Sequence, residues 1–296
     1  MPELPDVTVY VEALAAKTRG ETLEDVRLGS PFLLRSTEPS VHEVKGRKVT
    51  SVERLGKRIV VGLDGDLFVV IHLMIAGRFK WTDKRGAAIP GRVGLAAFDF
   101  SSGTLLLTEA SSKKRASLHL VRGREGLSAH HRGGIEVLGI DLETFSTALR
   151  KENHTIKRSL TDPRIFSGIG NAYSDEILFE AGLSPMRQTQ KLTDEEMARL
   201  HAATQTILTR FTDAIRSEAQ GSFPTKVTAF RDDMMVHGRF REPCKVCGTK
   251  VMRVAFADNE LNYCPRCQNE GRLLADRSLS RLMKKDWPKT VEELEG

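Results

Sequence analysis

The sequence predicts an α+β chain of several domains, and three observations carry that expectation. Between residues 48 and 108 short apolar runs are separated by turn residues. Beyond residue 140 the apolar spacing lengthens to that of helices, and after residue 240 four cysteines stand in two close pairs. The expected division is an N-terminal β-sandwich with a flanking helix over 1–125, a linker over 126–140 and a helical domain over 141–236. A metal-stapled module over 237–270 and a C-terminal extension over 271–296 complete it.

Taken in order, Asp6 is a plausible N-cap for a helix whose apolar positions are Val7, Tyr10, Val11, Leu14 and Ala15, ended by Gly20. Strands are expected at Lys48–Arg54, Arg58–Leu63, Leu67–Leu73, Arg78–Trp81, Val93–Phe100 and Thr104–Thr108. The turns Asp64-Gly65-Asp66 and Ser101-Ser102-Gly103 join neighbouring runs. Many short antiparallel strands after one helix point to a β-sandwich. Gly123–Gly139 is rich in Gly, His and Arg without periodicity, hence the linker. Asp141 caps a helix through Lys151, His154–Leu160 starts another, and Ala172–Ala181 is a third, closed by Gly182. Thr193-Asp-Glu-Glu196 is a capping box opening a long helix with Met197, Leu200, Ile207, Leu208, Phe211 and Ile215 on its buried face.

Composition narrows the function classes. The 296 residues carry a net charge of +6 and a pI near 9.2, which points weakly to a polyanionic partner. The most apolar stretch, Ile59 to Gly77, is broken by Asp64, Asp66 and His72, so no membrane span is expected. An acid and two prolines occupy the place of a secretory leader. The chain is therefore expected in the cytoplasm.

Cys244-x2-Cys247-x16-Cys264-x2-Cys267 has the spacing of two metal knuckles, and four thiolates suit one closed tetrahedral structural Zn²⁺. Such an ion staples a core-poor module, and the stretch between the pairs, with Lys250 and Arg253, is long enough for a hairpin. Ser167-Gly168-Ile169-Gly170-Asn171 opens a helix, where glycines allow close backbone approach and N–H groups favour an anion. The plainer reading of that turn is a tight helix-to-helix connection.

Chemistry is concentrated at Met1-Pro2-Glu3. If Met1 is trimmed, Pro2 carries a free secondary amine with a pKa of roughly 7.7–8.0, partly uncharged at neutral pH. Such an amine attacks an aldehyde-like carbon to give an iminium. Glu3 sets a carboxyl beside it for general acid and base work. If Met1 stays, Pro2 is an amide and this chemistry is lost.

Together these features make the sequence resemble the formamidopyrimidine-DNA glycosylase/endonuclease VIII family of base-excision repair enzymes. The resemblance rests on Pro2-Glu3-Leu4-Pro5, Gly56-Lys57, Ile71-His72-Leu73, Ser167–Asn171 leading into Asp175-Glu176-Ile177-Leu178, His237-Gly238-Arg239 and the four cysteines. It implies an N-terminal β-sandwich, a helix–two-turn–helix domain and a C-terminal zinc ribbon, binding damaged double-stranded DNA in the cleft between them. The implied protein is a monomer associated with the nucleoid. The implied activity is a bifunctional glycosylase/AP lyase in which Pro2 attacks C1′ of a flipped nucleotide, Glu3 shuttles protons, and β,δ-elimination cuts the strand. Lys57, counted with the catalytic residues, and His72 and Asn171 match positions that hold phosphates. By position alone Lys57 reads as a solvated lysine and His72 as a core histidine.

Several positions depart from the family. His-Leu-Gly-Met-Ser-Gly becomes His72-Leu73-Met74-Ile75-Ala76-Gly77, putting the wedge that fills the flipped-base void on Ile75 or the adjacent Met74. The usual Asp-Pro-Arg-Arg-Phe-Gly loop is replaced by Glu109–Arg115, whose Lys113, Lys114 and Arg115 are expected to grip phosphate or the orphaned base. Asn259 stands where the family's zinc hairpin has an arginine, leaving Arg253 or Lys250 to substitute. Phe223-Pro224-Thr225-Lys226 is a reduced form of the lesion-capping loop, and Leu279, Leu282 and Met283 suggest a helix packed on the zinc module. The altered wedge and hairpin motivate two alternatives: a non-catalytic zinc-containing binder of damaged DNA, or an AP lyase with little glycosylase activity.

Overall fold

The computed structural model describes residues 1–225, 227–228, 231–256, 260–276, 280, 282 and 287–295. Asn259, Lys226 and the tail residues Arg277, Leu279, Arg281, Met283, Lys284 and Lys285 lie outside them. The chain divides into two compact units, one of Met1–Arg132 with Phe211–Thr228, the other of Gly133–Arg210 with Ala229–Gly296.

In the first unit, helix α1 (Leu4–Thr18) starts earlier than the sequence suggests. Its N-cap is Glu3, and Asp6 is the third helical residue. The Glu3 N–H donates to Asp6 Oδ2 at 2.8 Å, the reciprocal arm of a capping box, with Pro5 in the first turn where its missing N–H costs nothing. The eight strands are β1 (Thr22–Leu28), β2 (Arg47–Leu55), β3 (Arg58–Leu63), β4 (Leu67–His72), β5 (Gly77–Thr82), β6 (Gly94–Phe100), β7 (Gly103–Glu109) and β8 (Ser117–Arg122). A short helix α2 (Val41–Val44) precedes β2.

These strands run in the order β5-β7-β6-β1-β2-β3-β4-β8, antiparallel throughout. The β1–β2 join has only the pairs Thr22↔Lys48 and Leu23↔Arg47, so the sheet works as two four-stranded halves. Both halves feed one core: Val26, Leu95, Phe98, Leu105 and Leu107 from one, Val49, Ile59, Val61, Val69, Ile71 and Leu118 from the other. That shared core is the sandwich the sequence predicts. Helix α1 seals it with Val7, Tyr10 and Leu14, and the Tyr10 ring meets Phe79 edge-on at 5.5 Å.

Residues 123–139 are more than a linker. Helix α3 (Gly123–Ser128) lays Leu127 over Val60, Phe68, Val70 and Val121, the outward face of β3, β4 and β8. Strand β9 (Ile135–Glu136) then pairs in parallel with β10 (Phe166–Ser167) in the second unit.

That second unit holds α4 (Leu142–Arg150), capped as expected by Asp141 accepting from Thr144 N at 2.7 Å, then α5 (Ile156–Thr161) and α6 (Asn171–Glu180). The long α7 (Asp194–Ala219) opens on the expected box, Thr193 and Glu196 exchanging bonds of 2.9 and 3.1 Å; its residues from Phe211 onward group with the first unit. The hairpin β11 (Met252–Ala255) and β12 (Glu260–Tyr263) and a short α8 (Pro265–Asn269) complete the ribbon.

The tail folds back on the ribbon; of the expected apolar helix face, Leu279 and Met283 lie outside the described residues and Leu282 is 80% exposed. Leu274 N donates to the Tyr263 hydroxyl at 2.7 Å and Ala255 N to Asp276 Oδ2 at 2.8 Å. Leu273 N and Lys289 O pair at 2.7 Å, ahead of a final short helix, Val291–Glu295. Among the described residues no helix is long and apolar enough to cross a membrane.

Candidate functional site

The first unit gathers most of the residues singled out in the sequence. Pro2 and Glu3 are buried at the start of α1. The α-amine, here on Met1, feels Glu3, Asp6, Arg78 and Lys57, and burial is the main cause holding its pKa below the ordinary value. A lowered amine pKa means more of the neutral, nucleophilic form at pH 7. Asp6, beneath it, is pushed up to about 7, first by burial and then by the neighbouring Glu3.

Lys57 sits in the turn between β2 and β3, made by Gly56 at φ +62°. The register Arg58↔His72 sets the end of β4 beside that turn. Burial, then Arg58 and Lys57, lower the His72 pKa to about 4, so its ring is neutral at pH 7. NMR of the ligand-free protein will therefore show a His72 ring that does not titrate between pH 8 and pH 5. Its contribution to stability is present above about pH 6.5, the ordinary histidine value, and is lost as the pH falls through about 4.

After His72 the chain makes a tight turn in which Gly77 N donates to Leu73 O at 2.9 Å. A Cβ at Gly77 would lie 2.3 Å from that carbonyl oxygen, so the position requires glycine. Met74 takes φ +52°, a strained value for its type, and its sulfur faces His72 Nδ1. Ile75 is the turn residue left out in solvent, 50% exposed, while Met74 is only half-buried. Of the two wedge candidates, Ile75 projects.

The pair Gly77↔Glu109 brings this turn next to the basic loop. Buried Glu109, whose role nothing in the sequence announces, organises that loop. Its Oε2 accepts from Arg115 N at 2.9 Å and Ala116 N at 3.1 Å, and its carbonyl accepts from the Lys114 amine. Lys113 and Arg115 keep exposed side chains. Phe223, expected in a lid, instead packs toward Tyr10 and Trp81, at centroid distances of 5.9 and 6.4 Å.

Helix α6 organises the second unit through residues the sequence shows only as part of a motif. Buried Asp175 accepts from Lys157 Nζ at 2.6 Å, pairs with His237 Nδ1 at 2.8 Å and accepts from Asn262 N at 3.2 Å. Glu176 accepts from the backbone N–H groups of Met235, Val236 and His237 at 2.7–2.9 Å. Asn171 Nδ2, the expected anion donor, donates to the Glu260 carbonyl at 2.7 Å, tying the helix start to the hairpin. Arg253 ion-pairs with Glu260 at 3.0 Å and lies over the Phe240 ring at 4.3 Å, while Lys250 is exposed. Arg253 is thus held along its own hairpin.

The sulfurs of Cys244, Cys247, Cys264 and Cys267 all lie within 4.8 Å of one another. Cys244–Cys267 and Cys247–Cys264 are 3.9 and 3.4 Å apart. Four sulfurs each about 2.3 Å from one zinc ion stand about 3.8 Å from each other, so the set fits a single tetrahedral Zn²⁺. Around it, Cys264 N donates to Gln268 Oε1 at 2.9 Å and Cys244 N to Thr249 O at 2.8 Å, which fixes both knuckles. One structural zinc ion belongs here.

Three successive matches to known families span this chain. Residues 1–120 match the formamidopyrimidine-DNA glycosylase N-terminal domain, 138–224 the formamidopyrimidine-DNA glycosylase H2TH domain, and 241–269 the zinc finger found in FPG and IleRS. A formamidopyrimidine-DNA glycosylase of Heliobacterium modesticaldum is 31% identical over 282 residues, covering 90% of this chain and all of the relative. An uncharacterized formamidopyrimidine-DNA glycosylase-like protein of Mycobacterium tuberculosis is 41% identical over 152 residues, 51% of this chain and 94% of the relative. Among solved structures, Lactococcus lactis Fpg (MutM) bound to DNA with an oxidized pyrimidine superposes with a TM-score of 0.79 at 24% identity, over 90% of this chain and all of that one. A buried Pro2-Glu3 terminus on a sandwich, a helical region tied to a four-cysteine ribbon, and these matches in the same order agree: the chain belongs to the formamidopyrimidine-DNA glycosylase family.

Proposed function

We propose that this protein is a DNA glycosylase of base-excision repair with AP lyase activity, acting through the amine of an N-terminal Pro2 on damaged duplex DNA. The carrying observation is the buried terminus, where the α-amine, borne by Met1 and lowered in pKa chiefly by burial, lies among Glu3, Asp6, Lys57 and Arg78, the surroundings a trimmed Pro2 amine would meet. Relatives named as formamidopyrimidine-DNA glycosylases, and Lactococcus lactis Fpg solved with FAPY-dG DNA and with abasic DNA, support the substrate class.

The steps follow from these groups. The Pro2 nitrogen lone pair attacks C1′, the bond to the base breaks, and the base leaves with a proton. Glu3 protonates the sugar ring oxygen, opening the ring to the iminium. The iminium acidifies the C2′ proton; its removal expels the 3′ phosphate, and a second elimination expels the 5′ phosphate. Lys57 and Asn171 hold the flanking phosphates, and neutral His72 offers a ring N–H to one of them. Ile75 enters the gap left by the everted nucleotide, and the Lys113–Arg115 loop steadies the opposite strand. Cys244, Cys247, Cys264 and Cys267 would hold a zinc ion that keeps the ribbon in shape.

Borohydride trapping on a duplex with one abasic site tests this reading. A covalent adduct on a chain lacking Met1 supports it; no adduct from a chain trimmed to Pro2 sinks it in favour of a non-catalytic binder. The inward-packed Phe223 favours a second reading, an AP lyase with weak base release. Cleaved abasic DNA beside unreleased damaged bases would identify that case. Ile75→Ala should leave stability within about 0.5 kcal/mol, as for exposed positions. It should lower base excision on duplex DNA while sparing cleavage of a single-stranded abasic site.

A further inference from the structure

Beyond Lys57 and His72, the outward face of β3, β4 and β8 carries a group of arginines and histidines the proposed mechanism does not use. The registers Arg58↔His72↔Ser117 and Val60↔Val70↔His119 place Arg58, His72, Ser117 and His119 on one face. Its other end is the apolar patch under Leu127 of α3. Just past α3 the chain brings His130 against His119, ring centroids 4.8 Å apart and edge to face, and Arg132 follows. The Nε of Arg58 is buried with no hydrogen-bond partner.

Among the described residues no acid is paired with this group. Arg58, His119, His130, Arg132 and the nearby Arg35 form no ion pair among the described residues. Glu53, on the adjacent β2, is turned to Arg124 at 3.5 Å. Burial is the main cause lowering the pKa of His119 and of His130. His130 and Arg58 add to it at His119, Arg58 and Arg132 at His130. Arg58 is itself shifted down, by burial and by Arg132. Arginine stays charged at any pH a protein meets, so the site holds a fixed positive charge ringed by neutral imidazoles with donors to spare. Planar guanidinium donors and imidazole N–H groups on one face suit a tetrahedral oxyanion.

We propose that Arg58, His119, His130 and Arg132 form a phosphate site, adjoining the one at Lys57 and His72, that takes a second backbone phosphate of the bound DNA. The phosphate chemistry follows from the site alone; DNA as its source rests on the function proposed above.

The test has two arms on the whole zinc-loaded chain. In the first, inorganic phosphate is titrated in while histidine ring signals are followed by NMR, with chloride at matched ionic strength as control. Phosphate should move the His119 and His130 signals together and raise both titration midpoints, because an anion favours the imidazolium. No phosphate-specific movement would overturn the site even if trapping on abasic DNA succeeds. In the second, affinity for a duplex with an abasic-site analogue is measured against salt. Arg58→Gln with Arg132→Ala should lower the slope of log K against log salt by about 0.9, because one backbone phosphate is no longer neutralised. Equal melting temperatures show that the variant folds; if it does not, His130→Ala with Arg132→Ala, both outside the strands, replaces it. Phosphate binding with an unchanged slope would overturn DNA as the source. Phosphate binding by a chain that does not bind the duplex would sink the repair function and leave the phosphate site standing.

Discussion

A chain carrying an uncleavable residue ahead of Pro2 will give no borohydride adduct with abasic DNA, while its affinity for that DNA stays within a few-fold. The extra residue turns the Pro2 nitrogen into a tertiary amide without a nucleophilic lone pair, so trapping falls to background. Intact mass on the same sample shows which terminus was present. Glu3→Gln is the companion variant. It removes the proton shuttle, and general acid–base groups contribute about 10²–10⁴-fold, so base release and strand cleavage should fall within that range. One arm of the capping box, Glu3 N–H to Asp6 Oδ2, is made by the backbone and survives the change, and the glutamine carbonyl can still accept from Asp6 N–H in the other. Full trapping by the blocked chain would remove Pro2 from the mechanism.

Removing zinc will have the second large effect. The ribbon's apolar clusters are small: Val236, Val251 and the ligands Cys244 and Cys264 make one, and Val254, Leu261 and Tyr263 of the hairpin the other, too little to fold a module of this size alone. Structural zinc contributes apparent binding free energies of about 10–16 kcal/mol in finger peptides. Chelation, or Cys247→Ser, should raise hydrogen exchange throughout residues 237–270 and abolish DNA binding, with strands β2–β4 still protected. Protection of the hairpin in the zinc-free protein would show that helix α6 and the tail suffice to hold it.

How much of this is legible in the sequence depends on what each residue touches. Strands β3 and β4 can be read because they are covered on both faces, by the core and by α3, and so appear as unbroken apolar runs between turn residues. Strand β1 is hidden: Glu24 and Asp25 interrupt it, and its register shifts between Leu23 and Asp25. Strand β8 is hidden because it follows a basic loop with no turn signal, its start fixed by the buried Glu109 carboxylate. Helix α3 is too short and glycine-rich to show a period; Leu127 holds it. The cysteines and Pro2-Glu3 are legible because their chemistry depends on residue type and spacing. The Asp175 and Glu176 network is not, because its partners, Lys157, Met235–His237 and Asn262, are remote in sequence and meet only after folding.

The tail beyond residue 269, where the zinc-finger match ends, is part of what holds the ribbon. Asp276, 3% exposed, now supplies the acceptor for Ala255 N at the hairpin's end, and Leu274 N occupies the hydroxyl of fully buried Tyr263. Deleting the segment would strip the acceptor from Ala255 N and uncover Tyr263, so the hairpin borrows part of its stability from chain outside the zinc-finger match, and a variant cut at residue 269 is not a neutral truncation.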